Sequence, residues 1–342
     1  MKIVYSDKHA QHDPQTFIVR GVKQRSAEQP ERATRLLAAA TGAGHDIVVP
    51  KAFGPGPAAS VHTPDYIDFL QVAAREWAKL PGASAEVVPN VHPARGPVTY
   101  PKALAGRAGW HQVDTGCPIG PHTWDAALAA TEVATTAAEL VLSGTREAYA
   151  LCRPPGHHAF ADMAGGFCFL NNTAIAAQHL RAKHARVAVL DIDVHHGNGT
   201  QGIFYERADV LTISIHADPD NYYPYFWGHV HEAGSGAGDG YNVNLPLSLG
   251  SADAPWLAAG DKAMARIRDF APTALVVALG LDASESDPLQ GLKVTGDGFH
   301  AMAAKIAGLG LPTVLVQEGG YLGDDLGRNL VQFLAGFEKG HS

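Results

Sequence analysis

The chain has 342 residues, of which 46% are hydrophobic and 18% charged, so it is long enough to bury a large core and too apolar to be mainly disordered. Its formal net charge of −8, without a lysine- or arginine-rich stretch, excludes the basic surface that binds nucleic acid and favours cationic substrates. No segment has the apolar length needed to span a bilayer, and the N-terminus lacks the apolar run of a signal peptide.

Short β-branched apolar runs alternate with stretches of helical period along the chain. In chain order the predicted elements are a strand at Lys2–Tyr5, helices at Glu31–Ala40, Pro64–Glu76 and Ala126–Ser143, a strand at Glu147–Cys152, a helix at Thr173–Lys183, strands at Val187–Asp191 and Val210–Ile215, a helix at Ala254–Phe270, a strand at Ala274–Leu279, a helix at Gly298–Gly308, a strand at Thr313–Gln317 and a helix at Asp324–Phe337. Apolar strands mostly separated by helices predict a single α/β domain over residues 1–342, with a mostly parallel sheet and helices on both faces.

One segment, from Pro81 to His122, is rich in proline and glycine and has little periodicity. Long irregular stretches within a compact domain are usually functional or disordered. We therefore predict an inserted loop at about residues 81–122, with a mobile surface excursion of no function as the alternative.

Polar side chains follow four of the predicted strands, at the end where open α/β sheets bind ligands. These segments are Arg153–His158 after Glu147–Cys152, Asp193–His196 after Val187–Asp191, Gly280–Asp282 after Ala274–Leu279, and Glu318–Tyr321 after Thr313–Gln317. Carboxylates, imidazoles and a phenol would meet at one rim, which packing alone does not explain. The sequence predicts the active site there.

The segment Asp191–His195 is the most informative of these. Side chains alternate in an extended chain, so Asp191, Asp193 and His195 share one face, where burial is very costly unless a cation lies among them. We expect Asp193 and His195, with Asp282 from another strand end, to ligate one Zn²⁺ ion and leave a fourth position for water. Fe²⁺ and Co²⁺ also suit this oxygen-rich set. A hydrogen-bonded Asp/His network without a metal is the alternative.

The adjacent His157 and His158 follow a Pro-Pro-Gly segment that turns the chain directly after a strand. One imidazole could accept the proton of the attacking water, and the other could carry a positive charge or protonate the leaving amine. Each needs a partner for its second nitrogen, and Asp191 and Asn198 are the candidates. Tyr321, after two glycines, could donate to the oxyanion of a tetrahedral intermediate. A surface histidine pair and a tyrosine packed at a helix start are the alternatives.

Together these segments resemble the arginase–deacetylase superfamily, specifically the histone deacetylase-like amidohydrolases. The matching motifs are Arg153-Pro154-Pro155-Gly156-His157-His158, Gly165-Gly166-Phe167-Cys168-Phe169-Leu170-Asn171-Asn172, Asp191-Ile192-Asp193-Val194-His195-His196-Gly197-Asn198-Gly199-Thr200, Leu281-Asp282 and Glu318-Gly319-Gly320-Tyr321. They occur in family order, and such a set is highly specific. Within the family, the chain is most similar to bacterial acetylpolyamine amidohydrolases, which share the insertion before Trp124.

The resemblance implies roles for the residues around the metal. Asp193, His195 and Asp282 match the family's zinc ligands. His158 matches the general base, and His157 matches its electrostatic or acid partner.

It also implies how a substrate binds. Tyr321 matches the tyrosine that polarises the substrate carbonyl. Phe167 and Tyr223 match the aromatic pair that walls a narrow acyl tunnel, and Gly166 offers a carbonyl to the substrate amide. The implied substrate is a small N-acetylated amine.

Asp191 and Asn198 match the residues that orient the two histidines. Asp191 also matches the acidic ligand of a structural monovalent cation, commonly K⁺, which backbone carbonyls and Ser214 further enclose. Asn198 stands where many histone-directed relatives have a second aspartate, so we expect His158 to be the less basic histidine.

The inserted loop departs from the family pattern. Polyamine-selective members place acidic residues there to meet distal ammonium groups, whereas here the stretch 98–122 offers Asp114 against Lys102 and Arg107. This leaves room for other acylated amines, including acetyl-lysine. The insertion also pairs two subunits in relatives, which implies a homodimer.

We therefore predict a zinc-dependent deacetylase that hydrolyses acetylpolyamines such as acetylputrescine, acetylcadaverine or acetylspermidine. An acetyl-lysine protein or peptide deacetylase is the main alternative. A ureohydrolase with two Mn²⁺ ions and a catalytically silent zinc-binding protein are the others. Because the cysteines Cys117, Cys152 and Cys168 are odd in number and unpatterned, we predict reduced thiols in a cytoplasmic protein.

Overall fold

A computed structural model describes residues 1–340 of the chain. Its strands are β1 (Lys2–Val4), β2 (Phe17–Val19), β3 (Val22–Gln24), β4 (Asp46–Val48), β5 (Glu147–Ala150), β6 (Val187–Asp191), β7 (Val210–Ala217), β8 (Asn242–Leu247), β9 (Ala274–Leu279) and β10 (Thr313–Gln317). Its α-helices are α1 (Glu31–Gly42), α2 (Gly56–Ala59), α3 (Pro64–Trp77), α4 (Leu104–His111), α5 (Thr123–Leu142), α6 (Asn172–Leu180), α7 (Asn198–Phe204), α8 (Asp253–Phe270), α9 (Gly296–Ala307) and α10 (Leu326–Lys339).

Eight strands form one sheet in the order β4-β1-β5-β10-β9-β6-β7-β8, and every neighbouring pair in it is parallel. All residues of β6, β9 and β10 are buried, as their apolar sequences require. This arrangement confirms the predicted α/β class and its parallel sheet.

Helices cover both faces of the sheet because successive strand residues point in opposite directions. Val277 belongs to a core shared with Phe333 and other residues of α1, α8, α9 and α10. Its neighbour Val276 belongs to a second core with Val133 of α5 and Leu180 of α6. The sheet is therefore buried from both sides, and its carboxyl edge is left for ligands.

The inserted segment is more ordered than its composition suggests. It contains α4, and isolated bridges pair Val87 with Ile119 and Gln112 with Ala164. Val87, Ile119 and Ala108 join a third apolar core with α3 and α5. The segment predicted as an inserted loop therefore contains a helix and buries apolar side chains of its own.

Six further elements were not predicted from the sequence, namely β2, β3, β4, β8, α2 and α7. β2 and β3 form a separate antiparallel hairpin. β4 and β8 are the edge strands of the main sheet and are only partly buried. Within residues 1–340, none of the helices is long and apolar enough to cross a membrane.

Candidate metal centre and active site

Four neighbouring strands deliver the polar segments to one edge of the sheet. In spatial order these strands are β5, β10, β9 and β6, and all run in the same direction. Their carboxyl ends therefore bring together segments that lie far apart in the sequence, as open α/β sheets commonly do.

Asp193, His195 and Asp282 meet at one point, with ligand atoms within 4.8 Å of one another and all three residues buried. His195 Nδ1 lies 3.1 Å from Asp193 Oδ1 and 3.2 Å from Asp282 Oδ2. The backbone N–H groups of Val194 and Gly319 donate to Asp282 Oδ1 and Asp193 Oδ2, which fixes both carboxylates. The ligands predicted from the sequence are thus brought together.

A cation fits this group of side chains. Asp282 Oδ2 is buried without a hydrogen-bond partner among residues 1–340, and His195 Nδ1 lies 3.2 Å from it. Burial and the neighbouring Asp193 carboxylate raise the pKa of Asp282, so a positive charge between the two acids would be strongly favoured. Two carboxylates and one imidazole suit a divalent ion in an open site.

Two glycines leave space for these carboxylates. A side chain at Gly319 would collide with Asp193 and Asp282, and one at Gly280 would collide with Asp193. The glycine after β9 and the one after β10 are therefore needed for the backbone to pass close to the ligands.

The tandem histidines lie beside the metal group and differ in their partners. His157 Nδ1 lies 2.9 Å from Asp191 Oδ2, and His158 Nδ1 lies 2.7 Å from Asn198 Oδ1. Because Asn198 Oδ1 only accepts hydrogen bonds, His158 carries its proton on Nδ1 and presents Nε2 as a proton acceptor. The structure thus brings each histidine within hydrogen-bond distance of one of the two candidate partners.

The two imidazoles also differ in charge. Burial lowers the pKa of His157, but the carboxylates of Asp193 and Asp191 outweigh it and raise that pKa to about 10. Burial and the neighbouring rings of His157 and His195 lower the pKa of His158 well below its usual value. The surroundings of His157 thus favour its charged form and those of His158 favour its neutral form, which suits an electrostatic partner and a base.

Tyr321 lies against the same cavity on the loop after β10. Its backbone N–H donates to Asp287 Oδ2 at 2.8 Å, and Gly320 before it has a φ of +112°, which favours glycine. Burial raises the pKa of the Tyr321 phenol well above its usual value, although the Arg32 guanidinium lies 4.7 Å from the ring centroid. The phenol therefore keeps its proton and can donate it in a hydrogen bond.

A cavity of about 420 Å³ leads to this centre. Gly166, Phe167 and Tyr223, the predicted substrate-binding residues, all line it, together with His158 and Tyr321. The Tyr223 ring meets the His158 ring edge-on at 5.0 Å, and the Phe167 ring meets the Tyr321 ring at 5.7 Å. Because aromatic rings line the cavity on two sides, it suits a substrate with a slim aliphatic arm.

The two side chains predicted to hold a structural K⁺ ion, Asp191 and Ser214, lie near each other but also have protein partners. Asp191 and Ser214 are register partners on β6 and β7, and both line a small internal cavity. Asp191 Oδ1 accepts from the Asp193 N–H, and Ser214 Oγ lies 2.9 Å from His216 Nδ1. Because these contacts are hydrogen bonds within the protein, they do not test K⁺ binding, and the K⁺ site stays a prediction.

Sequence reasoning missed a buried charge cluster beneath Tyr321. Glu28 Oε1 accepts hydrogen bonds from Arg32 and Arg153, both at 2.7 Å, and all three residues are buried. Arg32 also donates to the carbonyl oxygens of Gly320 and Glu318, next to Tyr321. The Glu-x-x-x-Arg spacing of Glu28 and Arg32 was the available signal, but it is common on exposed helices.

Glu318 and Asp287 also hold the site, and neither was assigned a role from the sequence. Glu318 Oε2 accepts from the backbone N–H of Gly156 and, at 3.0 Å, from that of His157. Asp287 accepts from the Tyr321 N–H. Burial raises the pKa of both carboxyl groups to about 7. The loops that carry the histidines and the tyrosine are thus anchored by buried acids.

The chain is similar in sequence and in fold to known proteins. The histone deacetylase domain family matches residues 26–337. An acetylpolyamine amidohydrolase of Burkholderia pseudomallei (strain 1710b) is 49% identical over 330 residues, covering 95% of each chain. Acetylpolyamine amidohydrolase 1 of Pseudomonas aeruginosa is 46% identical over 345 residues, covering 99% of each chain. The crystal structure of an acetylpolyamine aminohydrolase from Burkholderia pseudomallei has a TM-score of 0.95 at 47% identity, covering 98% of both chains.

Proposed function

The chain belongs to the histone deacetylase domain family, and on this basis we propose that it is a zinc-dependent deacetylase that hydrolyses N-acetylated polyamines to acetate and the free amine. The predicted family and the predicted fold are both confirmed by these similarities. The observation that carries the proposal is the convergence of Asp193, His195 and Asp282 beside the tandem histidines, which have different hydrogen-bond partners, Asp191 for His157 and Asn198 for His158.

The residues of the site support amide hydrolysis. A zinc ion held by Asp193, His195 and Asp282 would supply Lewis acidity and lower the pKa of water. His158 Nε2 accepts a proton from the attacking water while the water oxygen forms a bond to the carbonyl carbon. Tyr321 donates a hydrogen bond to the oxyanion that develops on the former carbonyl oxygen.

The second half of the reaction breaks the carbon–nitrogen bond. The amine leaves with a proton delivered by an imidazole, and acetate remains. His157, held cationic by Asp191 and Asp193, stabilises the negative charge of the intermediate throughout. Asn198 keeps His158 in the tautomer that these steps need.

The substrate class follows from the relatives and from the cavity. Proteins named acetylpolyamine amidohydrolase are 46% and 49% identical to this chain over nearly its whole length. A cavity walled by Phe167 and Tyr223 favours slim aliphatic arms. Turnover of acetylputrescine, acetylcadaverine and acetylspermidine, compared with that of an acetyl-lysine peptide, tests this assignment. Hydrolysis confined to the peptide would establish the protein deacetylase alternative instead.

Two further features belong to this proposal. A K⁺ ion beside Asp191 and Ser214 would neutralise a carboxylate that burial otherwise makes costly. A homodimer formed through the inserted segment is consistent with the exposed apolar side chains there, Val91, Val98, Tyr100 and Val113.

Removal of the metal is expected to abolish acetate release from acetylputrescine and to lower the melting temperature by several degrees, because only the folded chain assembles the three ligands. Stoichiometric Zn²⁺ should restore both properties, and metal analysis should find one catalytic ion per chain. Full activity in metal-free enzyme would contradict the proposal. Manganese at nearly two ions per chain would point to a ureohydrolase.

A further inference from the structure

Two side chains of opposite charge line the outer part of the active-site cavity. Apart from the histidines at its floor, Asp114 and Arg20 are the ionisable acid and base among its lining residues. The other basic residues weighed from the sequence do not reach it. Arg107 pairs with Asp68 at 2.8 Å, and Lys102 is not part of the lining.

Asp114 is fixed in the inner of the two positions. Its Oδ2 accepts a hydrogen bond from the Tyr223 hydroxyl at 2.6 Å and from the Gly166 N–H at 3.1 Å, and its Oδ1 accepts one from the Gly116 N–H at 2.8 Å. The Cys117 thiol also lies 3.8 Å from Oδ1, but a thiol is a weak donor, so an ammonium group can compete with it for this carboxylate. The carboxylate is thus bonded to Tyr223, which forms one wall of the tunnel, and to Gly166, the residue before Phe167, and it is half-buried.

Arg20 lies at the outer position, on the turn between β2 and β3. Arg20 and Gly21 have φ values of +50° and +78°, as a two-residue hairpin turn requires. The hairpin is held over the cavity by the Phe17 ring, 5.1 Å from the Phe167 ring. The Arg20 side chain is exposed and has no hydrogen-bond or ion-pair partner within residues 1–340.

We propose that this order of charges selects acetylated amines by the number of their ammonium groups. An ammonium group one short aliphatic arm beyond the acetyl group meets Asp114, whereas a second ammonium group further out meets Arg20 and is repelled. Resting on the proposed function, this makes monoacetylated diamines such as acetylputrescine and acetylcadaverine the preferred substrates. Acetylated triamines are disfavoured, and Arg20 is the residue that discriminates against them.

The role of Asp114 is tested with two substrates of equal length, acetylputrescine and its uncharged analogue N-pentylacetamide. Asp114→Asn keeps an acceptor for Tyr223 but removes the charge. We expect the ratio of kcat/KM for the cationic over the neutral substrate to fall about tenfold, mainly through KM. An equal loss for both substrates would show that Asp114 only positions the walls and would overturn its assignment.

The role of Arg20 is tested with N8-acetylspermidine and acetylputrescine, which share the same four-carbon arm and differ by one ammonium group. Arg20→Asn and Arg20→Asp both tolerate the left-handed backbone. The preference for acetylputrescine should shrink about threefold in Arg20→Asn and further in Arg20→Asp. Lys23→Gln removes a charge from the same hairpin outside the cavity lining and should leave the preference unchanged.

Failure of this inference and failure of the proposed function give different results. If the wild type hydrolyses both amines but the Arg20 variants leave their ratio unchanged, the charge-order assignment is wrong and the deacetylase function stands. If the metal-loaded wild type releases acetate from neither amine, the proposed function itself fails.

Discussion

Replacement of Tyr321 by phenylalanine is expected to lower kcat for acetylated amines by about 10²–10³-fold, the usual cost of losing one oxyanion donor. The phenol lies at the cavity floor with its proton retained by burial. Its hydrogen bond matters most when negative charge develops on the substrate oxygen, so kcat should fall more than KM rises.

The change should leave the fold and the metal intact. Tyr321 is not among the predicted ligands, and its loop is held through backbone atoms by Asp287 and Arg32. Metal content and melting temperature should therefore match the wild type. Tyr205→Phe, which removes a hydroxyl from a half-buried position outside the cavity lining, is the matched control and should turn over normally. Normal turnover by Tyr321→Phe would remove the oxyanion role from this residue.

The grouping of the candidate metal ligands could be predicted from the sequence because the signal for it is local. Asp193 and His195 follow a strand whose residues are continuously apolar, and Asp282 follows another of the same kind. Parallel strands share one carboxyl edge, so this pattern alone brings the three residues together. The same logic predicted that Asp191 and Asn198 orient the histidines, and the distances of 2.9 and 2.7 Å agree with it.

Strand β8 was missed because its buried face is polar. Asn242 and Asn244 are almost fully buried, yet their amides donate to Gln201 Oε1 at 2.8 and 2.9 Å. A search for hydrophobic periodicity does not detect a buried strand face made of polar side chains whose hydrogen bonds are supplied by a residue far away in the sequence.

Helix α4 was missed because it is stabilised by packing more than by propensity. Two of its residues, Gly106 and Gly109, are poor helix formers. At Gly109 the backbone of Val91 passes so close that any side chain would collide with it. This contact with Val91 explains why position 109 is glycine, but it cannot be inferred from the local sequence of the helix.

The Glu28 cluster was missed for a related reason, since Arg153 becomes a neighbour of Glu28 and Arg32 only after folding. Replacing Glu28 by glutamine is expected to lower the free energy of unfolding by about 3–5 kcal/mol, because two buried guanidinium groups lose the carboxylate they share. Urea unfolding at neutral pH measures this loss. Glu31→Gln is the matched control, because the Glu31–Arg35 pair has the same spacing but is exposed and should contribute less than about 1 kcal/mol.

The pH dependence separates lost charge from lost packing. Burial raises the pKa of Glu28, but Arg153 and Arg32 outweigh it and hold that pKa below its usual value. A carboxyl whose folded pKa is depressed stabilises the fold above its unfolded pKa, about 4.3, and loses this effect as the pH falls through the folded value. The stability gap between wild type and Glu28→Gln should therefore be constant near neutrality and narrow below about pH 4. A gap that stays constant in acid would mean that the glutamine destabilises by altered packing, and the ion cluster would no longer explain how the Tyr321 loop is held.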